Sequence, residues 1–279
     1  MEPLLALTRS LKVDFRTSDQ DIRHKMADRY LPQGLPLVAE KVETQSEVDQ
    51  ARALGYAYFQ GCFFSKPTMI EGRNIPGYKL NYLRLIATVN APDFDFAKIE
   101  QVPKQEPSLV YKLLRYLNSP LLGLRNEVRS ISHAITLIGE KEFRRWVSIV
   151  AIVSMAGDKP PELIRTALTP AYCCEEISGQ AGLSPQSSDL FLMGLLSVTD
   201  AILDLPMHSV LSHLPLSPEV HTALSGGANR FRDVYDTLLS YERVDWETLS
   251  SLAAKIGCAE DCVPESYLSA ATRAAAVSV

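Results

Sequence analysis

Long apolar runs are missing from this sequence. No window approaches the roughly 20 consecutive apolar residues that a membrane-spanning helix needs. The opening segment, Met1 to Arg9, lacks the charged n-region, apolar core and small-residue cleavage site of a secretory signal, so a cytoplasmic protein is expected. Positive charge is also in short supply. Lys and Arg number 28 against 33 Asp and Glu, for a net charge of −5. A surface that tracks nucleic-acid phosphates needs clustered Lys and Arg, so nucleic acid is not an expected partner. The densest basic pair is Arg144-Arg145. Cysteine is scarce, at 5 residues. Cys173 and Cys174 are adjacent, and Cys258 and Cys262 stand at i, i+4. They read as small apolar residues in a reducing compartment. Zinc would want two close Cys or His pairs, and the sequence has no such set. His24, His133, His208, His213 and His221 are scattered, and only His208 and His213 lie near each other in sequence.

The chain that remains is an ordinary globular one. It has 279 residues, 46% hydrophobic and 22% charged, enough for about two domains with real cores. Its rhythm changes near residue 70. Before that point, Leu11–Phe15, Pro36–Glu40 and Ala57–Gln60 read as strands separated by helical stretches, the rhythm of a parallel α/β unit. Thr44 to Leu54 reads as a helix, with Thr44 as N-cap, Glu47 completing a capping box and Gly55 as the stop. Gly72 to Gly77 reads as a linker. Beyond it, period-2 alternation disappears. Leu80, Leu83, Leu85, Ile86 and Val89 have helical spacing, as do Leu109, Leu113, Leu114 and Leu117, and later Leu190, Met193, Leu195 and Leu196. Prolines at 92, 103, 107, 120, 160–161, 185, 206, 215 and 218 cut the segment into many helices. About 200 residues of this kind predict one compact all-α domain.

Two motif groups carry chemistry. Val38-Ala39-Glu40-Lys41-Val42-Glu43-Thr44 is followed by Tyr58-Phe59-Gln60-Gly61-Cys62-Phe63-Phe64-Ser65-Lys66-Pro67, and Leu11-Lys12-Val13-Asp14-Phe15 precedes both. Together they resemble the end of an EAL domain, a TIM-type barrel that linearises cyclic di-GMP with divalent metals. The resemblance implies that Lys12 stands beside an attacking water, Glu40 at the metal–water site, and Glu43 and Gln60 in its supporting shell. Metal-assisted hydrolysis needs carboxylates to hold the ion and a base for the water, gathered at the strand ends of the barrel. The family's E-x-L and D-D-F-G motifs are absent. A closed barrel takes about 250 residues, so this remnant cannot close by itself. Lys12, Glu40, Glu43 and Gln60 are therefore expected to be vestigial, and the inner face near Val13, Leu37 and Phe59 to lack apolar cover.

The second group runs through Phe94 to Lys112, then Leu113-Leu114-Arg115-Tyr116-Leu117-Asn118-Ser119-Pro120 and Leu121-Leu122-Gly123. Ser130-Ile131-Ser132-His133-Ala134-Ile135-Thr136-Leu137-Ile138-Gly139 and Glu142-Phe143-Arg144-Arg145-Trp146 follow. This stretch resembles an HDOD domain, the HD-related output domain. HD hydrolases hold metal with a His-Asp dyad. Here the matching helix ends Gly194-Leu195-Leu196-Ser197-Val198-Thr199-Asp200, so Ser197 and Val198 stand at the dyad positions. Valine cannot ligate a metal and serine does so poorly. His133 reads as a core histidine and Asp200 as a solvent or capping carboxylate. Arg144-Arg145-Trp146 could offer cations and a stacking face to a nucleotide, but Arg outward and Trp inward is the plainer expectation. Ser225-Gly226-Gly227-Ala228 is a loop and not a phosphate-binding loop, and Ser65 has no nucleophile context.

The expected architecture is mainly α: an EAL-barrel remnant over residues 1–72 and a compact HDOD helical domain over 78–275. The expected function is non-catalytic bacterial signal transduction, with no metal and no cofactor, through contacts with other signalling proteins and linked by resemblance to cyclic di-GMP signalling. The orphaned strands are expected either to dock on the helical domain or to drive self-association, and to form the less stable half. The alternative is a cyclic di-GMP phosphodiesterase whose remaining barrel strands lie outside this sequence.

Overall fold

The computed structural model describes residues 8–61, 63, 75–91, 111 and 131–277. The stretches carrying Ser65, Lys66 and the motifs from Phe94 to Ser130, apart from Tyr111, lie outside them. The chain divides into two compact units, Met1–Pro67 and Thr68–Val279.

The first unit alternates strands and helices. β1 is Leu11–Asp14, α1 is Gln20–Tyr30, β2 is Leu37–Glu40, α2 is Gln45–Ala53 and β3 is Tyr58–Gln60. The strands form one parallel sheet in the order β1-β2-β3. Each helix starts where a side chain accepts a free backbone N–H. Asp19 accepts from Ile22 N at 2.8 Å. Thr44 accepts from Glu47 N at 3.2 Å while the Glu47 carboxylate accepts from Thr44 N at 3.1 Å. This is the reciprocal capping box read from the sequence. Gly55 follows α2 at φ +85, a conformation that other residues adopt only with strain.

Alternation along the strands sorts their side chains onto two faces. Val13, Leu37 and Ala39 are buried with Phe15, Ala27, Val48, Ala51 and Tyr56, a core to which α1 and α2 both contribute. Phe59 packs against the same core. The expectation that Val13, Leu37 and Phe59 lose their apolar cover is thus corrected: the helices that follow β1 and β2 supply it. The opposite face carries Lys12, Val38 and Tyr58 in one row and Asp14, Glu40 and Gln60 in the next.

In the second unit, every described element is a helix. α3 is Gly77–Val89, α4 Ile131–Ile138, α5 Glu140–Met155, α6 Pro161–Gln180 and α7 Ser187–Leu196. α8 is Thr199–Leu203, α9 Met207–Leu211, α10 Pro218–Leu224, α11 Arg230–Glu242, α12 Trp246–Ile256 and α13 Cys262–Ala276. Gly77, read as the linker's end, already opens α3. α6 is the central post, packed by α7, α13 and α11, while α3 packs on α5 and α12 on α11. Helical spacing in α7 does not mark one apolar face: Leu190 through Leu196 are all buried, as befits an interior helix. Pro170 lies inside α6. A β-carbon on Gly194 of α7 would stand 2.5 Å from the Pro170 carbonyl and 2.6 Å from Ala171 Cα. Glycine at 194 therefore lets the two helix backbones approach at the turn where proline removes a hydrogen bond.

Candidate functional site

In the first unit the polar residues gather where the parallel strands end. The Lys12 ammonium donates to Glu40 Oε1 at 3.2 Å and to Gln60 Oε1 at 2.8 Å. Lys12, Glu40 and Gln60 thus meet across all three strands. Glu43 lies one turn further on, its Oε1 4.0 Å from Arg16 Nε, and its backbone N–H donates to Glu47. A second pair, missed in the sequence reading, lies beside the first. Lys41 Nζ donates to Asp14 Oδ2 at 2.6 Å. That hydrogen bond holds the Asp14 carboxyl below the ordinary carboxylate range and pushes the Lys41 ammonium up. Asp14 also accepts from Arg16 N and Thr17 N.

Two backbone features shape this end of the sheet. Lys41 has φ +58, an uncommon left-handed conformation for a residue with a side chain. It turns the chain immediately after Glu40 and leaves Lys41 facing Asp14. At Gly61, a β-carbon would stand 2.0 Å from the Val42 carbonyl oxygen and 2.5 Å from its nitrogen. The glycine of the Gln60-Gly61 motif is therefore a packing requirement: Val42 N donates to Gln60 O at 3.0 Å, drawing the segments past β2 and β3 into contact.

Chemically, this array is a self-neutralised one. Glu40 is paired with Lys12 and Asp14 with Lys41. Among the described residues no group of three His, Cys, Asp or Glu side chains is placed to hold a metal ion. Lys12 is half exposed, with Glu40 less so.

In the second unit the dyad positions fall at the junction of α7 and α8. Ser197 follows the last residue of α7 and its hydroxyl donates to Gly194 O at 2.7 Å. The Tyr235 hydroxyl of α11 is hydrogen-bonded to Ser197, and burial pushes that phenol up to about 12. Val198 is buried and precedes α8. Asp200 accepts from Ala201 N at 2.8 Å, and burial raises its carboxyl; it lies in the first turn of α8, whose N-cap is Val198, so it is neither a cap nor freely solvated. Behind this junction lies a pair of ties that the sequence did not announce. Buried Lys79 donates to Asp158 at 2.7 Å and to Ile202 O at 3.1 Å, and Lys159 donates to Asp204 at 2.6 Å. A cation near a helix C-terminus can satisfy one of its last carbonyls, as Lys79 does at Ile202 O of α8. No sequence spacing signals these pairs, because they join residues far apart in the chain.

The other singled-out residues resolve as follows. His133 is half-buried on α4. Cys173, Cys174, Cys258 and Cys262 are free and buried. Trp146 is buried as expected, but the arginines are not outward: the Arg144 and Arg145 side chains are only 18% and 14% exposed. Arg144 reaches Ala91 O just past α3, and Arg145 reaches Glu175 of α6.

Comparison with known proteins finds a family match within the helical unit and relatives along most of the chain. The HDOD domain family model matches residues 75–204. YuxH of Bacillus subtilis, an uncharacterized protein, is 30% identical over 259 residues, covering 92% of this chain and 63% of YuxH. A protein of Vibrio cholerae named cyclic di-GMP phosphodiesterase CdgJ is 29% identical over 258 residues, covering 92% of this chain and 60% of CdgJ. The chain thus spans less than two thirds of the length of these relatives. The crystal structure of an HDOD domain protein of unknown function from Geobacter sulfurreducens aligns at a TM-score of 0.38 and 15% identity, over 81% of this chain and 72% of that one. Residues 75–204, running from the segment before α3 to the end of α8, are an HDOD domain.

Proposed function

We propose that this chain is a bacterial signalling protein that works through protein contacts of its HDOD domain, within cyclic di-GMP networks, and that it turns over no substrate. On this reading the first unit is the end of an EAL barrel that has kept its strand-end residues without their metal chemistry. The observation that carries the reading is at the dyad positions, where Val198 has no ligand atom and the Ser197 hydroxyl is committed to Gly194 O, so neither supplies the metal ligand that an HD hydrolase uses there. The Lys12 contacts with Glu40 and Gln60 fit this reading and the second one below alike. Cyclic di-GMP incubated with the purified chain and magnesium or manganese should remain intact. Linearisation above a buffer control, lost in Glu40→Ala, defeats the proposal.

A second reading is favoured by the name of CdgJ and by the share of that protein which this chain spans. It is a cyclic di-GMP phosphodiesterase whose remaining barrel strands lie outside the sequence. The discriminating observation is an in-frame E-x-L and D-D-F-G upstream of Met1 together with turnover by that longer product.

A further inference from the structure

The two helices of the first unit have a groove between them. Gln20, Arg23 and His24 stand at i, i+3 and i+4 on α1, so they share one face. Gln50, Ala53 and Leu54 repeat that spacing along α2 and its C-cap. These six residues line the groove. Its volume is about 130 Å³, within about 360 Å³ of empty space that includes solvent at the mouth. A water needs only roughly 10–15 Å³, and a cavity of about 150 Å³ takes benzene. The groove thus has room for a small organic molecule.

The lining carries a guanidinium and no acid. Asp19 and Asp49, which adjoin it in sequence, are engaged elsewhere. Asp19 caps α1 at Ile22 N, and Asp49 meets Gln45 and Arg52. Arg23 is half-buried and fixed in place. Its Nη2 donates to Phe15 O, its Nε donates to Ser18 Oγ at 3.3 Å, and its Cζ lies 4.1 Å from the centre of the Phe15 ring. The Tyr56 hydroxyl donates to Arg23 O at 3.1 Å, which holds the backbone beneath. These side-chain partners are a carbonyl, a hydroxyl and a ring. None of them neutralises the guanidinium, and neither hydrogen bond uses Nη1. The His24 ring is oriented through Nδ1, 2.8 Å from Gln20 O, a bond that does not use Nε2.

A guanidinium already held in one geometry binds a carboxylate with little further ordering cost, through charge-assisted hydrogen bonds. One permanent cation balances one negative charge, so a monoanion suits the groove better than a phosphate dianion. Ala53 and Leu54 give the rest of such a guest an apolar wall on which to leave water. We propose that the groove between α1 and α2 binds a small organic monocarboxylate, its carboxylate on Arg23 and its apolar body against Ala53 and Leu54. The site is independent of the strand-end residues and of the HDOD domain.

Amide NMR titration of the full chain with benzoate tests it. Benzamide is the neutral counterpart, and acetate is the carboxylate without an apolar body. Saturable shifts are expected in α1 and α2 for benzoate, with benzamide and acetate each bound about tenfold or more weakly, since each lacks one of the two interactions. Arg23→Gln should reduce benzoate to the level of benzamide. Arg23 also tethers Phe15, so that variant can cost the first unit its fold. Ala53→Leu decides independently, because residue 53 is exposed on a helix and leucine is a good helix former whose side chain occupies the groove. Benzoate binding should be lost in it. Absence of saturable shifts, benzamide bound as tightly as benzoate, or benzoate affinity unchanged in Ala53→Leu overturns the inference. Acetate bound as tightly as benzoate overturns it as well, because a carboxylate recognised without its body is what an acidic side chain of a partner protein presents.

Discussion

Lys41 and Gly61 each stand one residue past a strand end, and each meets a constraint on its backbone. Lys41 accepts a left-handed conformation, φ +58, and its ammonium holds Asp14 in the charged form. The Asp14 pKa is lowered in the folded chain, so its contribution to stability is present above the unfolded value, near 3.8. It is lost as pH falls through the lower folded value. Removing the partner in Lys41→Ala should return the Asp14 titration, followed by carboxyl carbon NMR, towards the ordinary carboxylate range. An unchanged Asp14 curve would mean that Arg16 N and Thr17 N set its pKa instead. Gly61 answers to space. The β-carbon of Gly61→Ala would overlap the Val42 carbonyl, and relieving such overpacking costs about 1–3 kcal/mol. Urea titration should show the first unit destabilised by that order. The motif made Gly61 visible in the sequence, but only the fold gives its reason.

At the scale of elements, local signals were the legible ones. The capping box of α2 was readable because Thr44 and Glu47 are three residues apart, and Thr44→Ala should cost about 1 kcal/mol of stability in a denaturant melt. The three strands were readable from their apolar content and breakers. Their facing was misread, because assigning an inner face requires knowing which side the helices cover. In α7, spacing located the helix, whereas burial on every side follows from α5, α6 and α10 packed around it and has no local signature. The contact between Gly194 and Pro170 is of the same kind. Gly194→Ala should separate α6 from α7 and lower the thermal midpoint of the second unit, while the exposed Gly179→Ala, with open space around its β-carbon, serves as the control. Equal effects of the two substitutions would count against close approach at Gly194.

For the whole molecule, the question is whether the two compact units are also two folding units. Each has a core formed from its own residues: Leu37, Ala39, Val42 and Ala51 are wholly buried in the first, and Leu83, Ile86, Ile152, Leu163 and Leu190 in the second. The first is small and rests on three short strands of three or four residues each. Small cores bury a smaller share of their surface and are correspondingly marginal. Short parallel strands add little cooperativity, because each pairing must first offset the closure of a long connection. The second unit has a central 20-residue helix with neighbours on several sides, and its elements are helices with mostly local contacts, which form early and cooperatively. The first unit should therefore unfold at lower denaturant concentration than the second. Deleting residues 1–72 should leave a soluble, helical protein that melts in one cooperative transition, monitored by far-ultraviolet circular dichroism. If that deletion instead abolishes cooperative melting of residues 78–275, the helical unit depends on the strands for its fold and the two compact units are one folding unit.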